Sequence, residues 1–227
     1  MKSLYSYFLI VLAAITLASC NKEKAFPDTA NQVGISKVTY FPMIAIKGDL
    51  LNIIDKGSSF VDPGVDATVN GAAVTPAITG SVDASTPGIY YLTYTATNED
   101  GFSASDYRIV IVKEATAASP DYSGYYRRNA GAFGISRWIQ LTPTTYAVSN
   151  PGGASGYDNF WYVVTVTGGN VVSIASQKVP QQLGANPVEI KTLTTGTMTA
   201  SGASYKYTWA IGTAGFGTGN RTFLPYP

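Results

Sequence analysis

The sequence predicts an all-β protein of two domains, an N-terminal β-sandwich followed by an antiparallel β-barrel or second β-sandwich. Three observations carry this. Short apolar runs alternate with period two between turn signals, and no segment shows the 3.6-residue period of an amphipathic helix. The composition is polar and near-neutral, with 23 glycines, 16 tyrosines and only 13% charged residues, which suits an extracytoplasmic β protein. The charge also changes sign along the chain. Residues 20–120 carry seven basic and eleven acidic side chains, and residues 121–227 carry seven basic and three acidic. A net charge of +1 supplies no global field for nucleic acid, so no nucleic-acid partner is expected.

At the N-terminus, Lys2 precedes an apolar run from Phe8 to Ala18 that is too short to span a bilayer. Leu17-Ala18-Ser19-Cys20 closes it with small residues before the single cysteine. Residues 1–19 therefore read as a secretory signal. The ending resembles the lipobox of bacterial lipoproteins. That resemblance implies lipidation of Cys20, cleavage before it, and a membrane partner through the lipid. Residues 20–34 lack an apolar period and read as a lipidated tether. In Bacteroidetes-type lipoproteins an acidic run after the cysteine acts as a surface-export signal. Here Glu23 lies between Lys22 and Lys24, so that resemblance is partial. The expected location is the outer membrane, lipid-anchored, on either its surface or its periplasmic face.

Residues 35–114 read as the first domain. Ile35 to Phe41 is strand-like, and Leu50 to Ile54 follows a Lys47-Gly48-Asp49 turn. Asp62-Pro63-Gly64 is a turn, because proline presets φ and glycine tolerates positive φ. Val65 to Val69 leads into Asn70-Gly71, a favoured two-residue hairpin turn. Val74 to Val82 is extended but interrupted by Pro76. In Gly88 to Ala96, Tyr90, Leu92, Tyr94 and Ala96 share one face, and Tyr91, Thr93 and Thr95 the other, which is the signature of a half-buried strand. Asn98 to Gly101 turns the chain and Tyr107 to Val112 returns it.

The ordered set Phe60 to Ala67, Gly80-Ser81-Val82-Asp83, Pro87 to Asn98 and Gly101 resembles the bacterial Ig-like domain first noted in a pesticidal crystal protein. Gly88-x-Tyr90-x-Leu92 resembles a tyrosine corner, with Leu92 where an antibody domain carries its second cysteine. The family implies a sandwich that serves as spacer or adhesion module.

Residues 115–120 are small and polar, end in proline, and read as a linker without apolar anchors. The two flanking domains are expected to fold separately. Residues 121–227 then supply about eight strands, read at Gly124 to Arg128, Ile135 to Leu141, Tyr146 to Val148, Phe160 to Val166, Val171 to Ala175, Val188 to Leu193, Gly196 to Ala200, Tyr205 to Ile211, and Arg221 to Leu224. A Gly-rich loop covers residues 150–158. The position after an Ig-like domain, and the opening Asp121-Tyr122-Ser123-Gly124-Tyr125-Tyr126, resemble the C-terminal domains of Bacteroidetes lipoproteins associated with polysaccharide uptake.

The chain has no histidine and one cysteine, which excludes a Ser-His-Asp triad, a Cys-His pair, a His or Cys zinc site and an internal disulfide. No catalytic residue, cofactor or metal is expected. Asp62, Asp66, Asn98, Glu99 and Asp100 are oxygen-rich but read as turn residues. Gly215 to Gly219 lacks the following helix of a nucleotide loop. The second domain holds three carboxylates, Asp121, Asp158 and Glu189, a thin basis for the paired acids of glycoside hydrolysis.

All three tryptophans fall in the second domain. Indole and phenol rings stack on sugar faces, and neighbouring amides and arginines bind hydroxyls. Trp138, Trp161, Trp209, Tyr157, Arg137 and Asn159 are therefore the candidate glycan platform, set against the alternative that the rings are core. The expected protein is a non-catalytic cell-envelope lipoprotein that binds a polysaccharide, an oligosaccharide or a partner protein, with the Ig-like domain as spacer. The alternatives are an assembly subunit docked to outer-membrane transport proteins and a carbohydrate-active enzyme.

Overall fold

The computed structural model describes residues 32–33, 36–168, 170–179, 188–201, 204–213 and 217–227. Cys20, the signal and most of the tether lie outside the described residues. The chain divides into two units, residues 1–39 and 40–227. In the first, β1 (Gln32–Val33) pairs antiparallel with β2 (Ser36–Lys37).

The second unit opens with a two-sheet sandwich. One sheet holds β3 (Pro42–Ile46), β5 (Val65–Val69) and β6 (Ala72–Ala73). The other holds β4 (Leu51–Asp55), β9 (Ser103–Lys113), β8 (Gly88–Thr97) and β7 (Ala77–Thr79), in that order. β4 runs parallel to β9, and the other pairings are antiparallel. Of the strand read at Ile35 to Phe41, Ile35 lies outside the described residues, Ser36–Lys37 is β2, and residues 38–41 are corrected to non-strand: the sandwich strand begins at Pro42, which as the first residue of an edge strand needs no ladder donor. Asn70 and Gly71 both have positive φ, 50° and 78°, as their hairpin turn requires. The Tyr90 hydroxyl donates to the Thr86 carbonyl at 2.7 Å, the backward bond of a tyrosine corner.

The face of β8 read as apolar is the core face. Leu92, Tyr94 and Ala96 are buried there, with Leu92 directly opposite Arg108 of β9. Arg108 is fully buried and spends its donors on the opposite sheet's turns. Its Nε donates to Asp62 Oδ1 at 3.0 Å and to the Tyr94 hydroxyl at 3.2 Å. Its Nη2 donates to the carbonyls of Lys47 (2.6 Å) and Gly64 (3.1 Å), and Nη1 to that of Asp49. Tyr94 donates to the same Asp62 oxygen at 2.7 Å. A buried cation is tolerated when its donors are satisfied in this way. Burial pushes the Asp62 carboxyl up, but the Gly64 N–H, the Tyr94 hydroxyl and Arg108 outweigh it and hold the group below the ordinary carboxylate range.

Residues 121–227 close into an eight-stranded antiparallel barrel, which decides between the two architectures expected from sequence. Its strands are β10 (Gly124–Arg128), β11 (Ile135–Thr142), β12 (Thr145–Ser149), β13 (Trp161–Thr167), β14 (Val171–Ser173), β16 (Val188–Ser201), β17 (Ser204–Thr213) and β18 (Gly217–Tyr226). Among the described residues, a short β15 (Gln177–Val179) pairs with β16 alone. The order is β14-β13-β12-β11-β10-β18-β17-β16, and pairing of β14 with β16 closes the ring. Two expected strands are one: Val188 to Ser201 runs continuously, with register shifts between Thr192 and Thr197. Gly196 lies in that irregular stretch, where a Cβ would come within 2.0 Å of the Thr208 carbonyl oxygen.

A barrel of eight strands is narrow enough to be filled by side chains. Here they are largely aromatic. Tyr207 stacks on Phe223 at 4.5 Å, lies 4.8 Å from Trp138 and 5.3 Å from Trp209, and meets Tyr126 at 5.2 Å, centroid to centroid. Among the described residues no helix occurs, and the barrel encloses a core rather than a lumen.

Besides the interior of each, the sandwich and the barrel share an apolar joint. β9 is buried on both faces. Tyr107, Ile109 and Ile111, pointing away from the sandwich core, form one apolar cluster with Ile139, Leu141, Ala147 and Trp161 of the barrel wall. Leu51, Ile89, Tyr91 and Val163 pack around it. The Tyr91 hydroxyl crosses to the Trp161 carbonyl at 2.9 Å. The linker is held too: Gln140 Oε1 accepts from the Ala118 N–H at 2.6 Å, and its Nε2 donates to the Ala118 carbonyl at 3.1 Å.

Candidate functional site

β10 begins the site. Its residues alternate, so Tyr126 enters the barrel while Tyr125 and Arg127 point outward. β11 lies on one side and places Arg137 opposite Tyr125 and Ile135 opposite Arg127. β18 lies on the other and places Tyr226 opposite Tyr125 and Leu224 opposite Arg127. The outer wall thus carries one cross-strand row, Arg137, Tyr125 and Tyr226, beside a second, Ile135, Arg127 and Leu224. Phe133, on the turn between β10 and β11, adds a third exposed ring at 50% accessibility, close to the 47% of Tyr125 and above the 39% of Tyr226.

The arginines rest on these rings. The Arg127 guanidinium carbon is 5.4 Å from the Phe133 centroid and 5.9 Å from that of Tyr226, and that of Arg137 is 5.6 Å from the Tyr125 centroid. Such contacts hold a long side chain against an apolar surface and leave its donors outward.

Two clefts flank the Tyr125–Arg137 pair, and both residues line each of them. One, about 770 Å³, runs between Asp121, Gln140 and the linker, with Ile53 on its far side. The other, about 540 Å³, is bounded by Phe133, Asp158, Asn159 and Trp161, with Leu51 on its far side. Its rim is shaped by the Gly-rich loop. Asn150 is fully buried at a φ of 44°, and its Nδ2 donates to the carbonyls of Ile135 (3.1 Å) and Ala154 (2.8 Å) and to Asp158 Oδ1 (3.2 Å). Gly153 has a φ of 60° and sits where a Cβ would come within 2.8 Å of Arg128 and 2.9 Å of Phe223, so only glycine fits.

The residues named from sequence divide. Arg137 and Asn159 line the second cleft, and Trp161 forms part of its floor, 3% exposed. Tyr157 is half-buried and packs 5.2 Å from Phe160. As an exposed platform the tryptophans are corrected. Trp138 and Trp209 are each 1% exposed because the barrel interior needs their volume, and Trp161 is consumed by the cluster beneath the sandwich. Trp209 Nε1 donates to the Pro151 carbonyl at 3.2 Å and so braces the Gly-rich loop from inside. Tyr125, Arg127, Phe133 and Tyr226 were not named as site residues. The alternation in Gly124-Tyr125-Tyr126-Arg127-Arg128 was the available signal for the first two.

The carboxylates are dispersed. Asp121 lines one cleft and Asp158 the other, while Glu189 on β16 accepts from the Ser176 hydroxyl at 2.7 Å. Asp62 is engaged by Arg108, and Asp66 pairs with Lys47 at 2.7 Å. Among the described residues no group of three or more acidic, Cys or His side chains is arranged to hold a metal.

Residues 44–112 match the family model "Bacterial surface protein, Ig-like domain". The chain is similar to a lipoprotein from Bacteroides thetaiotaomicron of solved structure, with 26% identity, a TM-score of 0.51, and coverage of 82% of this chain and all of that one. A second solved structure is the M60 catalytic domain with two CBM51 domains of ZmpB from Clostridium perfringens. It shares 11% identity over 83% of this chain and 21% of that one, and its TM-score of 0.28 carries no argument. No curated protein matches the sequence. The Ig-like match and the lipoprotein neighbour fit a surface lipoprotein of the cell envelope.

Proposed function

We propose that this protein is a non-catalytic lipoprotein, anchored to the outer membrane through Cys20, that binds a glycan on the outer wall of its barrel. The Ig-like domain is the spacer, and polysaccharide uptake is the setting. The observation that carries the reading is the row of exposed rings, Tyr125, Phe133 and Tyr226, set beside two clefts and interleaved with Arg127 and Arg137. Stacking of sugar faces on such rings, with guanidinium and amide donors at the edges, is the chemistry of carbohydrate recognition without catalysis. The lipoprotein neighbour supports the anchor. The carboxylates support binding over hydrolysis: of the acids, Asp158 alone lines the second cleft, and in the first the neighbour of Asp121 is Glu114, which is paired with Lys56 at 3.1 Å.

Affinity gel electrophoresis and a glycan array with the full chain test this. Retardation by a polysaccharide, lost in Tyr125→Ala and Phe133→Ala, is the expected result. Absence of binding to every glycan presented refutes it.

A second reading, docking to outer-membrane transport proteins, has its own observation. Phe41, Met43 and Phe102 are exposed on the sandwich, with the two phenylalanine rings 5.2 Å apart. Crosslinking in cells that recovers transport proteins, and loses them in Met43→Glu, would favour it.

A further inference from the structure

We infer that the glycan is an acidic one, recognised through carboxylate or sulfate groups by Arg127 and Arg137. This rests on the reading of the barrel wall as a glycan platform and specifies its substrate class. Across the described residues, neither guanidinium makes a hydrogen bond or an ion pair, and their protein contacts are with the ring faces of Phe133, Tyr226 and Tyr125. Each therefore presents a planar fork of N–H donors, the geometry that matches a carboxylate or sulfate oxygen pair.

The other arginines of this domain are used differently. Arg128 donates to the Gly152 carbonyl at 3.4 Å, and Arg221 is buried and donates to the Gly219 carbonyl at 3.1 Å. The unspent forks are confined to the exposed wall.

Charge points the same way. Residues 121–227 carry seven basic and three acidic side chains, a net charge of +4. Asp158 shares a cleft with Arg137 but is held by the Asn150 amide and forms no ion pair with it. A neutral sugar would use the rings and offer both guanidinium groups hydroxyl acceptors but no counter-charge. An acidic sugar residue uses both: its ring stacks on Tyr125 or Phe133 while its anionic group meets the adjacent arginine.

The test is affinity gel electrophoresis of the full chain in detergent against polygalacturonate, dextran sulfate, dextran and poly-glutamate. Polygalacturonate carries only carboxylates, and dextran sulfate differs from dextran only by its sulfates. The expected result is retardation by polygalacturonate, by dextran sulfate or by both, none by dextran, and weaker binding in 0.5 M salt. The active arm identifies the anionic group. Arg127→Gln with Arg137→Gln should weaken that binding by about tenfold or more, which is the effect of losing charge-assisted hydrogen bonds, while the melting temperature stays unchanged. Equal binding of dextran and dextran sulfate, unaffected by the arginine substitutions, overturns the acidic specificity and leaves glycan binding standing. Poly-glutamate retained as strongly as polygalacturonate overturns the glycan as occupant in favour of an acidic polypeptide. Failure of both acidic polysaccharides overturns the acidic specificity, while glycan binding itself is decided by the glycan array.

Discussion

The barrel has two flanks built on adjacent strands and used in opposite ways. Along β11, β12 and β13 the outward residues are Ile139, Leu141, Ala147, Trp161 and Val163, and the sandwich covers them with Tyr107, Ile109 and Ile111. Along the start of β11, β10 and β18 they are Arg137, Tyr125, Arg127, Leu224 and Tyr226, and the sandwich leaves them open. Aliphatic side chains form a permanent joint because their burial needs no directional partner. Rings carrying guanidinium groups stay soluble yet offer both stacking and charge. The same wall thus separates a covered apolar surface from an exposed surface of rings and guanidinium groups by side-chain chemistry alone.

Substitutions should separate the two flanks, the covered one losing stability and the open one losing binding. Trp161→Ala empties the covered flank and should cost about 3–5 kcal/mol in chemical denaturation, with sandwich and barrel signals lost together. Transitions that come apart in the wild type would contradict the shared cluster.

Asp62→Asn acts on the sandwich side of the covering strand, where it weakens the hold on Arg108. It should cost about 2 kcal/mol at neutral pH, the scale of a hydrogen bond to a charged group. The folded-state pKa of Asp62 lies below its unfolded value. Its contribution is therefore present above the unfolded value and is lost as pH falls through the folded one. Acid titration of stability should accordingly be flatter in Asp62→Asn below about pH 4.

Tyr91→Phe removes the bond from the sandwich to the Trp161 carbonyl and should cost about 1 kcal/mol. Among the described residues the Tyr107 hydroxyl, in the same cluster, has no hydrogen-bond partner, and burial pushes its pKa up to about 12. The unfolded chain ionises near pH 10, so stability falls between about pH 10 and the folded value. Tyr107→Phe should leave neutral stability nearly unchanged and soften that alkaline loss. On the open flank, Tyr125→Ala and Phe133→Ala should shift stability by no more than about 0.5 kcal/mol while abolishing glycan retention.

Legibility in the sequence followed the same division. β8 was readable because one face is core and the other is not, so Leu92, Tyr94 and Ala96 alternate cleanly with threonines. Asn70-Gly71 was readable because few residues accept positive φ twice. β11 was not readable in the same way. Ile139 points outward and Gln140 inward, the reverse of a hydropathy rule. The sandwich covers Ile139, and inside the barrel Gln140 Nε2 donates to the Tyr146 hydroxyl at 2.6 Å. The tryptophans misled for a related reason: an eight-stranded barrel needs large interior volume, and a sugar platform uses the same residue types. β18 ran longer than read because its Gly217 to Gly219 start is weak strand sequence, paired here to Thr213 through Ile211. The open flank was partly visible in Tyr125 and Arg127, but Tyr226 and Phe133 reach it through a distant strand and a turn that local patterning does not connect.

The most direct measurement is an NMR titration of the full chain in detergent with an oligogalacturonide and with a sulfated dextran oligosaccharide, following backbone and arginine side-chain signals; the prediction applies to whichever of the two binds, and failure of both contradicts it. The account predicts shift changes concentrated at Tyr125, Arg127, Phe133, Arg137 and Tyr226, with the covered flank around Ile109 and Trp161 unmoved. Shifts confined to the sandwich, or none at saturating ligand, would contradict it.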